Sequence, residues 1–400
     1  MALRAGRASS WLSRRTGRGA GGIIGGRVTL LLDPDALRKL TTGRRVVVVT
    51  GTNGKTTTTA MTALVLGRLG AVATNSDGAN MPDGLVAALC ATPAAPFAVL
   101  EVDEPHVPAV IDATEPAALI LLNFSRDQLD RVGEVSHLDA KLRAALGRQP
   151  SCTVVANADD PVVVSAVGEA NPTEWVSGDA LWLHDSTTCP RCARVLLRDG
   201  RQWRCECGLA RPEPGWTVND TELRHSDRVA PFAVQLPGRF NRFNAVAAIA
   251  AANVLGADLD ESMAVLAAMA PVGGRFSTVA FADRELRFLL AKNPAGATEN
   301  LIMLSGGDTP VVVAINGREA DGRDLSWLWD VPFETLTGRS VIATGERCQD
   351  LSVRLSYAGV EHETVPRPLD AVRAAAQGKV EVFANYTAFR DLIGQVRRDV

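Results

Sequence analysis

The chain has 400 residues, more than one ordinary core accommodates, so two or three domains are expected. Apolar residues at 46% and charged ones at 22% describe a globular protein, and a net charge of −3 gives nucleic-acid binding no overall support. No run approaches the ~18 uninterrupted apolar residues of a membrane span.

The opening "MALRAGRASSWLSRRTGRGAGGIIGGR" carries Arg4, Arg7, Arg14, Arg15, Arg18 and Arg27, with no acid before Asp33. It has the composition of an organellar transit peptide but no secretory apolar core. The preferred reading is a basic arm and lead-in over residues 1–44, lying near an anionic membrane surface, because "GGRVTLLLDPDALRKL" follows directly as ordered structure. From residue 45, "RRVVVVTG" reads as a buried strand and "KTTTTAMTALVLGRLG" as the helix after it. "FAVLEVDE", "AALILLNFS" and "SCTVVANADDP" read as further strands. Continuous apolar strands separated by helical segments predict a parallel α/β sheet covered on both faces. "NRFNAVAAIAAANVLG" is a helix, and "TPVVVAING", "SVIATG" and "KVEVFANY" are strands of a second, smaller α/β domain.

"VVVVTGTNGKTTTT" joins the first strand to its helix. Gly51 and Gly54 allow a tight turn whose N–H groups point inward, and the helix start adds its positive dipole end. Such a loop cradles phosphate: Lys55 reaches the β/γ oxygens and the Thr56 hydroxyl suits Mg²⁺. Val49 stands where the common G-x-x-x-x-G-K-[ST] pattern has its first glycine, so the loop is a variant.

"TGTNGKTTT" at 50–58, "EVDE" at 101–104, "LNFSRDQLDRVGE" at 122–134, "GRFNRFNAVAAIAAANVLG" at 238–256 and "GGRF" at 273–276 resemble, in order and spacing, the ATP-site blocks of the Mur ligase and folylpolyglutamate synthetase family. The resemblance implies a Mur ligase central-type ATP-binding domain with a parallel sheet over 45–275, and a C-terminal α/β domain over 276–400. It assigns ATP to Gly51, Thr52, Asn53, Gly54, Lys55, Thr56 and Thr57, the adenine to Asn241, and the ribose or phosphates to Arg275. Glu101, at a strand end beside the loop, would complete Mg²⁺ coordination with Thr56, oxygen ligands being what a hard cation takes. Asp127 and Asp130 remain open between a second Mg²⁺ and helix-start capping acids. Gln128 replaces the family's usual histidine, and Lys141 does not match the spacing of its modified lysine. With the loop beginning at residue 51, the UDP-sugar-gripping amino-terminal domain of typical Mur ligases is expected to be absent.

Cys189, Cys192, Cys205 and Cys207 form C-x₂-C and C-x-C pairs flanking "ARVLLRDGRQWR", whose alternation turns at Asp199-Gly200. Two pairs on a hairpin predict a zinc ribbon inserted at 186–210, with a closed ligand set and so structural zinc. Seven cysteines, four of them clustered, suit a reducing compartment better than a disulfide scaffold. In "DGRDLSWLWD" the acids Asp321, Asp324 and Asp330 flank two tryptophans, with no histidine near.

The truncated core, the ribbon and this acid–tryptophan block together resemble the synthetase subunits of lipid II isoglutaminyl synthases. That resemblance implies ATP-dependent amidation of the α-carboxylate of D-glutamate in the lipid II stem peptide, through an acyl phosphate. It also implies a heterodimer with a GatD-type glutamine amidotransferase, whose Cys–His pair receives an aspartate from this chain; Asp324 is the choice, with Asp330 and Asp321 as alternatives. The catalytic set is then Asp324, Lys55 and Glu101, acting in cytoplasmic peptidoglycan synthesis at the inner membrane face. The rival readings are an amino-acid-adding ligase and a non-catalytic nucleotide-binding scaffold.

Overall fold

A computed structural model describes residues 2–15, 22–75, 78–125, 132–178, 184–270, 276–304, 307–322 and 324–399. The chain divides into two compact units: Met1–Ser125, Glu134–Gln235 and Arg239–Met269 form one, and Arg126–Gly133, Leu236–Gly238 and Ala270–Val400 the other.

The strands of the first unit are β1 (Arg45–Thr50), β2 (Val72–Thr74), β3 (Phe97–Glu101), β4 (Ala118–Leu121), β5 (Thr153–Asn157), β6 (Thr173–Ser177), β7 (Leu197–Asp199), β8 (Gln202–Arg204), β9 (Trp216–Val218), β10 (Glu222–His225) and β11 (Arg228–Pro231). All but β7 and β8 build one sheet in the order β11-β10-β9-β6-β5-β4-β1-β3-β2. Its core, β6 through β2, is parallel, and β9 joins it parallel to β6. At the edge β10 pairs antiparallel with both β9 and β11, so β10 alone among the described strands of this sheet runs against the rest. The valines of β1 and all of β3 and β4 are buried, as the doubly covered sheet requires. β1 lies between β3 and β4, so the chain leaves β1 where the strand order reverses, the place at which open α/β sheets hold ligands.

Two helices shape that place. Lys55–Leu66 contains four consecutive β-branched threonines, poor helix formers on their own, three of which are buried together with Thr62. Tertiary burial supplies what propensity lacks. Its partner is Arg239–Val254, whose alanine-rich run is buried from Ala245 to Ala252 and lets backbones approach closely.

The second unit has β12 (Phe276–Phe281), β13 (Arg284–Leu290), β14 (Val311–Ala314), β15 (Val341–Thr344), β16 (His362–Thr364) and β17 (Gly378–Ala384) in the order β12-β13-β17-β14-β15-β16. β12 is antiparallel to β13 and every other pair is parallel. One face packs Leu289, Val313, Phe333 and Phe383, the other Phe288, Val312, Val382 and Phe389. Three further strands beyond those read from the sequence, β12, β13 and β16, complete this sheet.

Candidate functional site

The loop after β1 is built by two glycines with positive φ. Gly51, at +139°, passes so close to β4's exit that a Cβ there would lie 2.9 Å from Leu122 Cβ. Gly54, at +88°, caps the helix Lys55–Leu66, and a Cβ on it would lie 2.7 Å from Asn244 Oδ1. No side chain fits at either position. Asn123 braces the loop from the next strand: its Oδ1 accepts from Asn53 N at 2.9 Å and its Nδ2 donates to Asn53 O at 3.0 Å. Thr52 Oγ1 donates to Ser125 O at 3.1 Å and accepts from Ser125 N at 3.0 Å. A loop held this way keeps its shape without a ligand, which is pre-organisation for an anion.

Lys55 is 6% exposed, with Nζ 3.3 Å from Asp103 Oδ1 and 3.1 Å from Glu104 Oε2. Those acids follow directly on β3, which the sheet places beside β1. The same pairing sets Val49 opposite Glu101. Glu101 is 2% exposed, and its Oε2 has no hydrogen-bond partner, while its backbone is clamped by Asn75 at 2.8 Å in both directions. A buried carboxylate oxygen left unpartnered at a phosphate loop has the hard-donor chemistry that Mg²⁺ takes, so the residues present fit that ion. Asn241 is buried in the first turn of Arg239–Val254, and its Oδ1 accepts from Asn244, the residue beneath Gly54, at 3.4 Å. The loop, Lys55, Glu101 and Asn241 thus belong to one constellation. Arg275, Asp127, Gln128 and Asp130 lie outside the described residues; Lys141 is exposed on the helix Val132–Gly147.

The ribbon lies in the same unit. β7 and β8 pair antiparallel, and their turn centres on Gly200 and Arg201, one residue beyond the Asp-Gly pair, because Gly200 takes the positive φ of +56°. Two tight turns present the sulfurs: Ala193 N donates to Cys189 O at 2.9 Å and Gly208 N to Cys205 O at 3.0 Å. All four Sγ atoms lie within 4.8 Å of one another, with Cys189–Cys207 at 3.6 Å and Cys192–Cys205 at 3.4 Å. Four thiolates around one zinc at ~2.3 Å stand about 3.8 Å apart, so this cluster fits a tetrahedral soft metal. The backbone N–H of Leu209, then the Cys205 thiol, bring Cys207 down to about 7, while Cys205 goes up to about 12 and burial raises Cys189, so Cys207 sheds its proton before these two. Arg211 ties the ribbon's exit to the sheet: Nε donates to Asp159 at 2.9 Å and NH2 to Ser177 Oγ at 2.9 Å.

In the second unit the three candidate aspartates separate. Asp321 is buried, accepting from Thr387 N at 2.7 Å, from the Thr387 hydroxyl and from Arg318 N at 3.3 Å, so it is committed inside. Asp330 is half-buried. Asp324 is exposed, its Oδ1 accepting from Ser326 N at 2.8 Å, and that N–H together with the Ser326 hydroxyl holds the carboxyl below its usual range. It borders a cavity of about 240 Å³ with Trp329, Arg347 and Arg354. Arg354, 5% exposed, staples this loop by donating to Leu328 O at 3.2 Å, Val331 O at 2.7 Å and Glu334 Oε1 at 2.9 Å. Sequence reasoning missed Asn123, Asp103, Asn244 and Arg354. Asn123, Asp103 and Asn244 carried a signal, since all three sit inside the quoted blocks.

Residues 49–180 match the model of the Mur ligase middle domain, and residues 290–389 that of the MurT ligase C-terminal domain. The lipid II isoglutaminyl synthase (glutamine-hydrolyzing) subunit MurT of Streptococcus pneumoniae is 32% identical over 98% of this chain and 96% of its own. The chain belongs to the MurT family. The MurT subunit of Staphylococcus aureus strain N315 is 30% identical over 96% of this chain and 95% of its own. MurF of Acinetobacter baumannii shares the fold, with a TM-score of 0.67 over 94% of this chain and 80% of its own at 16% identity. As a MurT-family chain it is a ligase with a Mur ligase fold, and a cysteine cluster compatible with zinc accompanies that fold.

Proposed function

We propose that this chain is the synthetase subunit of a glutamine-hydrolysing lipid II isoglutaminyl synthase. It amidates the α-carboxylate of the stem peptide's D-glutamate to D-isoglutamine, taking ammonia from a GatD-type partner. A carboxylate resists ammonia because its carbon is electron-rich and oxide does not leave. Attack of the carboxylate oxygen on the γ-phosphorus of ATP forms an acyl phosphate and releases ADP. Ammonia then attacks the acyl carbon, the C–O bond to phosphate breaks, and the proton lost by nitrogen goes to the departing phosphate, leaving amide and inorganic phosphate.

Catalysis of the first step is positioning and charge neutralisation. The loop amides between Gly51 and Thr57 hold the phosphates. Lys55 moves its ammonium from Asp103 and Glu104 to the transferring phosphoryl, a short exchange of one anionic partner for another. Asn241 orients the adenine, with Arg275 on the ribose or phosphates. Thr56 and Glu101 would hold Mg²⁺, which when bound would neutralise charge on the phosphate oxygens. Zinc on the four cysteines is structural, since the closed ligand set leaves no position for a reacting water. Asp324 reaches the partner's active site and completes its Cys–His pair, being the exposed acid of the three.

The observation that supports this reading most is full-length similarity to two MurT subunits, combined with a braced phosphate loop facing a buried, unpartnered carboxylate oxygen. The test supplies the purified complex with ATP, glutamine and lipid II whose D-glutamate α-carboxylate carries ¹⁸O. Label should appear in inorganic phosphate, with ADP and amidated lipid in equal amounts. Unlabelled phosphate would overturn the reading. Lys55→Ala should lower amidation from glutamine and from free ammonium alike, by about 10²- to 10³-fold in kcat.

A further inference from the structure

The first two helices make a pair that the ligase chemistry does not use. Ala2–Arg15 packs on Gly22–Leu32 through small residues: a Cβ on Gly6 would lie 2.1 Å from Thr29 Oγ1, and one on Gly25 would lie 1.9 Å from Ser10 Oγ. Gly26 seats the pair on the helix Pro82–Ala91, where a Cβ would come 1.8 Å from Asp83 O. With the glycine faces turned inward, the large residues are left outside. Leu3, Trp11, Ile23, Ile24, Leu31 and Leu32 are exposed, Leu31 to 83%.

Charge on the pair is of one sign. Residues 1–32 contain six arginines and no acid, and the first acid, Asp33, is occupied by Lys39 at 2.7 Å. Arg4 and Arg15, seven residues before and four after Trp11, share its face at helical spacing, and the Arg15 guanidinium lies 5.1 Å from the Trp11 ring. Asp83, on the supporting helix, turns its carboxylate to its own Gly84 N at 2.8 Å. An apolar rim beside an arginine–tryptophan face is the chemistry of a helix that lies in the headgroup region of an anionic bilayer. Eleven residues of helix span only ~16 Å, about half a bilayer's ~30 Å hydrocarbon core, too short to cross it.

We propose that the helix pair Ala2–Arg15 and Gly22–Leu32 is a docking surface for an anionic lipid membrane, with Ile23, Ile24, Leu31 and Leu32 entering the headgroup boundary and arginines meeting phosphate. The proposal goes beyond the amidation reading and needs neither ATP nor lipid II, so the two can fail separately. Full-length chain is floated with vesicles of phosphatidylcholine alone and with vesicles containing about one-third phosphatidylglycerol. It should float with the anionic vesicles only and be released by salt. Leu31→Ser/Leu32→Ser should lower the partition coefficient by about tenfold or more, and Arg4→Ser/Arg15→Ser should remove the preference for anionic lipid. The emission that Trp11→Phe removes should shift to the blue on adding anionic vesicles, a readout that holds even if a double variant folds poorly. No flotation, equal flotation of all variants, or an unshifted Trp11 emission overturns the proposal. So does a wild-type chain that self-associates without lipid and is dispersed by the leucine substitutions, since the face would then join two copies.

Discussion

Glu101 illustrates how one atom carries a functional argument. Its backbone is clamped by Asn75 and its side chain is buried, yet Oε2 meets no donor. An orphaned acceptor of this kind costs about 1–3 kcal/mol unless something absent from the protein engages it. Glu101→Gln keeps the shape and removes the charge, so the Mg²⁺ concentration for half-maximal ATPase should rise about tenfold or more, measured by metal titration. Asp160 makes a different case. Burial pushes its carboxyl up to about 6, against backbone N–H donors from Phe124, Val162 and Val163 that favour the charged form. A folded pKa above the usual 3.8 means that Asp160 stabilises most when protonated, below about 3.8, and that this contribution is lost as pH rises through about 6. Asp160→Asn keeps the Oδ1 cap of Val162 and Val163 without the charge, but gives up the acceptor for the Phe124 N–H. The difference in melting temperature between variant and wild type should move in favour of wild type as pH falls from about 6 toward 3.8.

At the scale of elements, the ribbon is a small fold with a core of Val164, Leu196, Trp203 and Leu209 around two of its sulfurs. So few apolar groups cannot hold two three-residue strands, and a metal on the four cysteines would supply the remainder. One zinc per chain is expected by elemental analysis. Cys192→Ser should lose it and open residues 186–210 to proteolysis, while ATP binding persists because the loop is braced by Asn123 and Ser125. The loop Ser326–Asp330 is held differently, by one buried arginine. Arg354 satisfies two carbonyls and Glu334 and stacks 5.6 Å from Trp329, which fixes the backbone from which Asp324 projects.

At the scale of the molecule, the two units divide the proposed labour: phosphate chemistry in the first, nitrogen supply through Asp324 in the second. Asp324→Asn in the assembled complex should abolish glutamine hydrolysis, by about 10⁴-fold if the aspartate sets the partner histidine's tautomer, and leave amidation from free ammonium within about twofold. Equal loss of both activities would assign the role elsewhere. The double readout is decisive because a merely folding-defective variant loses both.

Elements that depend on neighbours in sequence were legible from the chain alone. The run Val46–Val49 has the continuous hydrophobicity of a doubly covered strand, Gly51 and Gly54 mark a turn around an anion, and C-x₂-C with C-x-C on a hairpin brings four sulfurs together. Each is a local pattern whose spacing is also its geometry. Partnerships across the sheet were not legible, because sequence distance hides them. Asn123 braces Asn53 seventy positions away only since β4 lies beside β1, and Asp103 and Glu104 reach Lys55 only since β3 flanks the other side. The three aspartates of 321–330 look alike as letters. Packing distinguishes them: Thr387 arrives from the end of β17 to bury Asp321, and Asp324 is left to solvent.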